Sequence, residues 1–473
     1  MQYKWTALTV TTVGLLMAGI DIRILIIGMP TVAHQLHAGA AELIWVTQSF
    51  QLAATVSLLV AGRISDIFGR VKLYNMGFVV FTLGSVLSAL SSNVYQLFAF
   101  LTVQGVGTAI LLANSSAIIT DASPRNELGT LLGISQTAFR VGAMMGLTLS
   151  GLILTFVDWR GLFYVNIPIG IFGAYWGRRQ LREISIRDPE KKIDWSGFAA
   201  FASGLTLVLL AVTYLSYGLS AVWIGAGLLL GGFVLLSIFV RIELRTASPL
   251  VDFDLFKIRV FTMGNIAQCL YSFSWAGLLV LLAFYLQIGL GYTPFEAGIA
   301  VVPIEIAFLF SSVLSGKLSD KYGSRTLSTL GLVISSLAMF ALSRFGTQSQ
   351  YLQIALVLIV IGVGSGMFVT PNSRAIMGSV PQNRRGIASG IYATVFNIGF
   401  TASYGLAILF LTLGIPYASL SLLLQGSVLQ TQVSAIHAEF LNGFRIGIFL
   451  FALINTAGII PSISRGSKEI RVV

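Results

Sequence analysis

Apolar residues in this chain come in long unbroken runs, and polar and charged residues gather in the short intervals between them. A bilayer crossing takes roughly 20 mostly apolar residues as a helix. Fourteen runs approach or exceed that length, near 6–29, 43–62, 73–92, 97–119, 128–157, 162–181, 195–216, 221–240, 260–289, 296–315, 326–345, 351–378, 386–413 and 442–463. Backbone exposed to lipid must satisfy its own hydrogen bonds, and runs this long and uncharged do so as helices. The pattern predicts an all-α polytopic membrane protein with fourteen spans.

The intervals set an orientation. With the N-terminus taken as cytoplasmic and the spans alternating, only Arg23, Arg140, Arg160, Arg344 and Arg445 of the 29 Lys and Arg fall on the outer side or inside spans. That bias is the positive-inside pattern, and an even number of spans returns the C-terminus to the cytoplasm. The expectation is a multi-pass protein of the plasma membrane with both termini inside. The first run keeps Asp21 and Arg23 and has no clear small-residue cleavage site, so it reads as a retained span and not a signal peptide. The longest outer interval, 414–441, holds the apolar stretch Leu420–Leu424, which fits either a small lid or a mobile loop.

Composition agrees. The 473 residues are 56% hydrophobic and 10% charged, against about 25% charged in an average soluble domain. Gly is frequent, with 49 copies, as suits close helix packing in lipid. The net charge of +11 belongs to topology, and no nucleic-acid partner is expected. Cys269 stands alone in an apolar run, which excludes an internal disulfide and reads as a core residue. His34, His37 and His437 fall on the outer side as surface residues. No phosphate-binding Gly-x-x-x-x-Gly-Lys-Ser/Thr loop, nucleophile–base constellation or metal-ligand cluster is visible. The expectation is therefore neither an enzyme nor an ATP-driven pump, with no cofactor and no metal.

The chain also repeats itself. Gly62-Arg-Ile-Ser-Asp66-Ile-Phe-Gly69-Arg70 recurs as Gly316-Lys-Leu-Ser-Asp320-Lys-Tyr-Gly323-Ser-Arg325, 254 residues later (62 to 316). Gly105-Val-Gly107 with Pro124 and Gly129 recurs in the same order as Gly362-Val-Gly364 with Pro381 and Gly386. Two six-span bundles of like orientation fit, over 1–182 and 259–473, with a linker at 183–258 carrying two extra spans. Parallel repeats of this kind characterise transporters that bind substrate at the repeat interface.

These stretches resemble the major facilitator superfamily, in particular its fourteen-span drug:proton antiporter branch. The resemblance extends through Trp159-Arg160-Gly-Leu-Phe163-Tyr-Val-Asn166-Ile-Pro168-Ile-Gly170, Asp194-Trp195-Ser-Gly197, Tyr285-Leu-Gln287, Gly291-Tyr292, Ala297-Gly298 with Pro303, and Pro371-Asn372. It implies a gating-loop role for Gly62, Asp66, Gly69 and Arg70, and for Gly316, Asp320, Gly323 and Arg325 in the second copy. A carboxylate at Asp66 is placed to meet a helix N-terminus and Arg70. Gly142, Gly146 and Gly151 line one side of the fifth span, for gating or for plain packing. The chain departs from the family with Ile67 and Val71 at usually basic positions, Leu147 in place of a proline, and Leu101 in place of the fourth-span arginine linked to proton coupling.

Asp21, Arg23, Arg140 and Glu305 are the ionisable residues well inside spans, where each is costly unless it borders water, the bundle interior or a partner. Burial and a nearby cation act on a carboxyl in opposite directions, and a group held between them can take up and release a proton. Asp21 matches the family's first-span acid, and Glu305, just after Pro303, is a second candidate. Arg23 lies two residues from Asp21 and off its helical face. Arg23 and Arg140 could recognise an anionic substrate or neutralise the acids. Three functions follow: a proton-coupled exporter of amphipathic organic compounds, a facilitator or symporter of an organic anion, and a transport-derived sensor or scaffold. The first fits best. It implies a monomer whose partners are a small-molecule substrate, protons and the lipid bilayer.

Overall fold

A computed structural model describes residues 3–124, 127–184, 193–218, 221–246, 249–381, 384–425 and 433–466. Among these, regular structure is helical throughout. Helices α1 (Tyr3–Gln35), α2 (Ala40–Phe68), α3 (Arg70–Ala89), α4 (Val94–Ala122) and α5 (Leu128–Phe156) follow the first five apolar runs. The run expected at 162–181 is two helices in succession, α6 (Gly161–Tyr164) and α7 (Asn166–Gln180). Next come α8 (Trp195–Ser216), α9 (Val222–Glu243) and α10 (Arg259–Phe284), which continues into a π-type turn over Tyr285–Gly289. After them lie α11 (Pro294–Ala300), α12 (Val302–Tyr322), α13 (Ser324–Leu342), α14 (Tyr351–Gly378), α15 (Arg385–Leu411), α16 (Tyr417–Leu424), α17 (Val433–Ala457) and α18 (Ile459–Ser464). Thirteen stretches of the described chain are long and apolar enough to cross a membrane. The expected fourteenth, at 162–181, is interrupted at Val165, between α6 and α7. The outer stretch Leu420–Leu424 forms part of α16; residues 426–432 of that interval lie outside the described residues.

Helix boundaries follow local chemistry. Asn93 caps α4 by accepting from the Gln96 N–H at 2.9 Å. Thr293 and Glu296 form a reciprocal capping box on either side of Pro294, which satisfies two N–H groups that the helix cannot satisfy itself. The α2–α3 and α12–α13 junctions turn at Gly69 (φ 104°) and Gly323 (φ 81°). A side chain is strained at such angles, which explains one glycine of each repeat.

The chain forms two compact units, Met1–Ala211 with Ala226–Leu250, and Val212–Gly225 with Val251–Val473. Within unit 1, a methyl on Gly105 would strike the Phe50 carbonyl of α2, and one on Gly107 would strike the Phe81 backbone of α3. Within unit 2, Gly362 sits in the same way against the Ile304 carbonyl of α12, and Gly364 against the Ser335 backbone of α13. From 50 to 304 and from 81 to 335 the spacing is again 254. The repeat read along the sequence is thus a repeat of backbone-to-backbone helix contacts.

Candidate functional site

In unit 1, α1 and α5 cross at closest range through glycine. Methyls on Gly142 and Gly146 of α5 would collide with the Leu16 and Ile20 carbonyls, and one on Gly19 of α1 with the Phe139 carbonyl. Gly151 is buried further along α5. The residue after Ile20 is Asp21, 2% exposed. Its Oδ1 accepts from the amide of Gln104 on α4 at 2.8 Å and from that of Asn166 at the start of α7 at 2.6 Å. The Gln104 amide also donates to Ser85 of α3 at 3.3 Å, and Ser85 donates to the Phe163 carbonyl at 3.1 Å. Gly84, packed against Gln104, lets α3 approach closely enough for this.

Amides from α4 and α7 therefore converge on one carboxyl oxygen of α1, and α3 is bonded to one of those amides. The other, Oδ2, is buried and has no hydrogen-bond partner among the described residues. Ionised, the group is held by two charge-assisted hydrogen bonds of roughly 1.5–3 kcal/mol each. Protonated on Oδ2, it becomes a neutral acid in a largely apolar surround. Asn166 stands inside a motif stretch quoted above and Gln104 directly precedes another, but no periodicity marks them as partners of Asp21.

Arg23 is also buried on α1, at 7% exposure. Arg140 is partly buried on α5, beside the Phe139–Gly19 contact. Among the described residues neither forms an ion pair with Asp21, whose partners are the two amides. Leu101, at the family's arginine position, is fully buried in an apolar cluster with Ile24, Leu97, Trp159 and Phe163. Leu147 is likewise buried on α5. Glu305 belongs to unit 2 and lies in the first turn of α12, 8% exposed. It sits at a helix start, just beyond the α11–α12 break.

The first loop motif builds a charge cluster. Arg70 reaches Asp66 of α2 at 3.3 Å and Asp121 of α4 at 2.7 Å. The N-terminus of α3 is taken by Glu183, whose two oxygens accept the Arg70 and Val71 N–H groups at 3.0 Å each. Asp121 and Glu183 were not legible as members, because they come from 51 and 113 residues along the chain. Gly62 faces open space. In the second copy Gly316 has Thr370 beside it and Gly323 forms the turn. Arg325 is exposed there, and the Asp320 side chain lies outside the described residues.

Unit 2 has its own buried polar cluster. Arg465, which the charge pattern counts among the cytoplasmic loop residues, is 2% exposed. It donates to Asn372 Oδ1 of α14 at 2.9 Å and to Ser328 Oγ of α13 at 3.1 Å. Asn372 in turn donates to the Gly264 carbonyl at 3.1 Å and to Gln268 of α10 at 3.4 Å. Tyr392 of α15 donates to the same Gln268 oxygen at 3.1 Å.

The sequence profile described as Major Facilitator Superfamily matches residues 11–404. The chain is 30% identical over 400 residues to the riboflavin transporter RibZ of Clostridioides difficile, covering 85% of this chain and 86% of that protein. It is 30% identical over 404 residues to the multidrug resistance protein Stp of Mycobacterium tuberculosis, covering 84% and 74%. The fold is similar to the crystal structure of a bacterial homologue of the human lysosomal transporter Spinster. The TM-score is 0.69 at 15% identity, and the match covers 98% of this chain and 97% of that one.

Proposed function

The chain belongs to the major facilitator superfamily, and on that footing we propose that it exports amphipathic organic compounds in exchange for protons, by alternating access. That it is a transporter of small molecules, and not an enzyme, follows from the family. The antiport reading is carried by Asp21, a buried carboxyl with one oxygen fixed by Gln104 and Asn166 and the other without a hydrogen-bond partner among the described residues. A proton on Oδ2 and a cationic or amphipathic substrate would compete for the ionised group. One relative is named for riboflavin and another for multidrug resistance, and amphipathic organic compounds fit both names.

We further propose a fourteen-span protein of the plasma membrane with both termini cytoplasmic. Its bundles would be 1–182 and 259–473, joined by a linker at 183–258. The α6–α7 pair supports the fourteenth crossing because it follows α3 from end to end. Ser85 meets the Phe163 carbonyl, Thr82 meets Gly170, Phe78 meets Gly173 and Asn75 meets Gly177. Two helices that together flank a full span traverse the same thickness as that span. Residues 62–70 and 316–325 would gate the inner side.

The test is transport in inside-out vesicles with ethidium as the probe and an imposed acid interior. Wild-type protein is expected to accumulate ethidium and to dissipate the gradient. Asp21→Asn, nearly isosteric but unable to exchange a proton, is expected to lower gradient-driven uptake about 100-fold or more, within the range found for lost acid–base groups. Unchanged uptake by that variant removes Asp21 from the mechanism. The second reading, transport of an organic anion, draws on the two arginines near Asp21, Arg23 and Arg140. It loses its footing if Arg140→Ala leaves anion uptake intact.

A further inference from the structure

Residues on either side of the α8–α9 pair in the chain contact the helices that flank the α2–α3 turn. Ahead of the pair, Tyr3 of α1 donates its hydroxyl hydrogen to the Arg182 carbonyl and accepts the Arg182 N–H, each at 2.8 Å. The next residue, Glu183, spans the Arg70 and Val71 N–H groups. Beyond the pair, the Pro249 carbonyl accepts from Arg63 of α2 at 2.6 Å. The base of the pair is closed on itself. Asp194 accepts from Ser196 at 2.6 Å, from the Gly197 N–H at 2.8 Å, and from Thr246, after α9, at 3.3 Å.

The first N–H groups of a helix have no partner within it, and a carboxylate there gains both hydrogen bonds and the favourable end of the helix dipole. Glu183 supplies both at α3. The backbone of Arg70 follows directly from Gly69 at positive φ, so where that backbone is held decides whether the guanidinium reaches Asp66 and Asp121. The same turn is gripped seven residues earlier at Arg63. Two independent contacts, one from each side of the pair, thus hold α2 ahead of the turn and the first residues of α3 after it.

We propose that Glu183 is the positioning residue of this turn and that the α8–α9 pair is tied to it on the far side, where Thr246 on Asp194 lies three residues from Pro249 on Arg63, so that displacing the base of the pair moves Arg70 relative to Asp66 and Asp121. The pair then acts as a restraint on the gate, in addition to crossing the membrane. The proposal rests on reading residues 62–70 as a gate. Its test observes the turn itself, so a failure of the export reading leaves the result interpretable.

The experiment is amide hydrogen exchange of the full chain in lipid nanodiscs. Glu183→Ala is expected to speed exchange of the Arg70 and Val71 amides about tenfold or more, as loss of hydrogen bonds to a charged group implies, while amides from Tyr74 onward keep their wild-type rates. Should that variant fail to fold, Glu183→Gln, with one acceptor oxygen instead of two, must show a rise at the same amides. Asp194→Ala touches neither amide, yet it opens the base of the pair and is expected to speed their exchange about threefold through local opening. Wild-type exchange at Arg70 and Val71 in the Glu183 variant overturns the positioning role. An Asp194→Ala effect confined to the first turn of α8 overturns the coupling to the pair.

Discussion

The two units share a packing scheme and differ in what they bury. Gly142 of α5 lies against the Leu16 carbonyl in unit 1, and Gly399 of α15 lies against the Cys269 carbonyl in unit 2. Five residues on from each contact stand Asp21 and Ser274. Ser274 is buried and donates to the Phe451 carbonyl at 2.8 Å, an ordinary neutral helix-to-helix bond. Unit 2 instead buries Arg465, held by Asn372 and Ser328. A glycine contact needs only the absence of a side chain, so it survives duplication easily. A buried charge needs matched donors and acceptors from several helices, so each unit has its own. The lesson is that the repeat carries the scaffold, while the Asp21 cluster has no counterpart at the corresponding position, Ser274.

The largest effects break what the copies share. Gly146→Val would drive methyls into the Ile20 carbonyl, and Gly399→Val would do the same at Cys269. Both are expected to cost roughly 3 kcal/mol or more, the upper range for overpacking, read as loss of monodisperse protein in detergent. Gly62→Ala, with nothing nearby, is expected to stay within about 1 kcal/mol of wild type in thermal unfolding. Next comes Arg465→Met, which leaves buried Asn372 and Ser328 oxygens without their donor. It is expected to destabilise by about 1–3 kcal/mol in the same assay while leaving proton exchange at Asp21 intact. Asn166→Ala removes one of the two donors to Asp21 and is expected to lower gradient-driven uptake about tenfold and to destabilise by about 1–3 kcal/mol in the same assay.

The smallest effect concerns Asp194, outside the spans. Burial pushes its carboxyl up, but hydrogen bonds from Gly197, Ser196 and Thr246 outweigh that and hold it below its ordinary value of 3.8. The group's contribution is therefore complete above 3.8 and is lost as pH falls through the lower folded value. Asp194→Asn is expected to lower the unfolding temperature slightly at pH 7, and the gap to wild type is expected to close in strong acid.

Much of the helical layout was legible. The runs read at 195–216 and 351–378 coincide with α8 and α14, because continuous hydropathy marks a lipid-crossing helix almost to its ends. The run read from 442 begins at Val433 in α17, since His437 and Glu439 lower the hydropathy of its first turns. The break at Val165 left no trace in composition. Asp21 stood out as an acid in an apolar run. Its partners did not, since Gln104 and Asn166 lie 83 and 145 residues away, and contacts of that range have no local period. Arg465 misled for the complementary reason. A basic residue beyond the last apolar run reads as solvated, and only the fold shows that α18 carries it inward.

The central claim is that substrate and proton compete for Asp21. Its most direct measurement is proton release from purified protein in weakly buffered detergent, followed by a pH indicator as ethidium is added. Wild-type protein should release protons in proportion to ethidium bound, and Asp21→Asn should bind ethidium without releasing any. Equal release from both proteins would contradict the account.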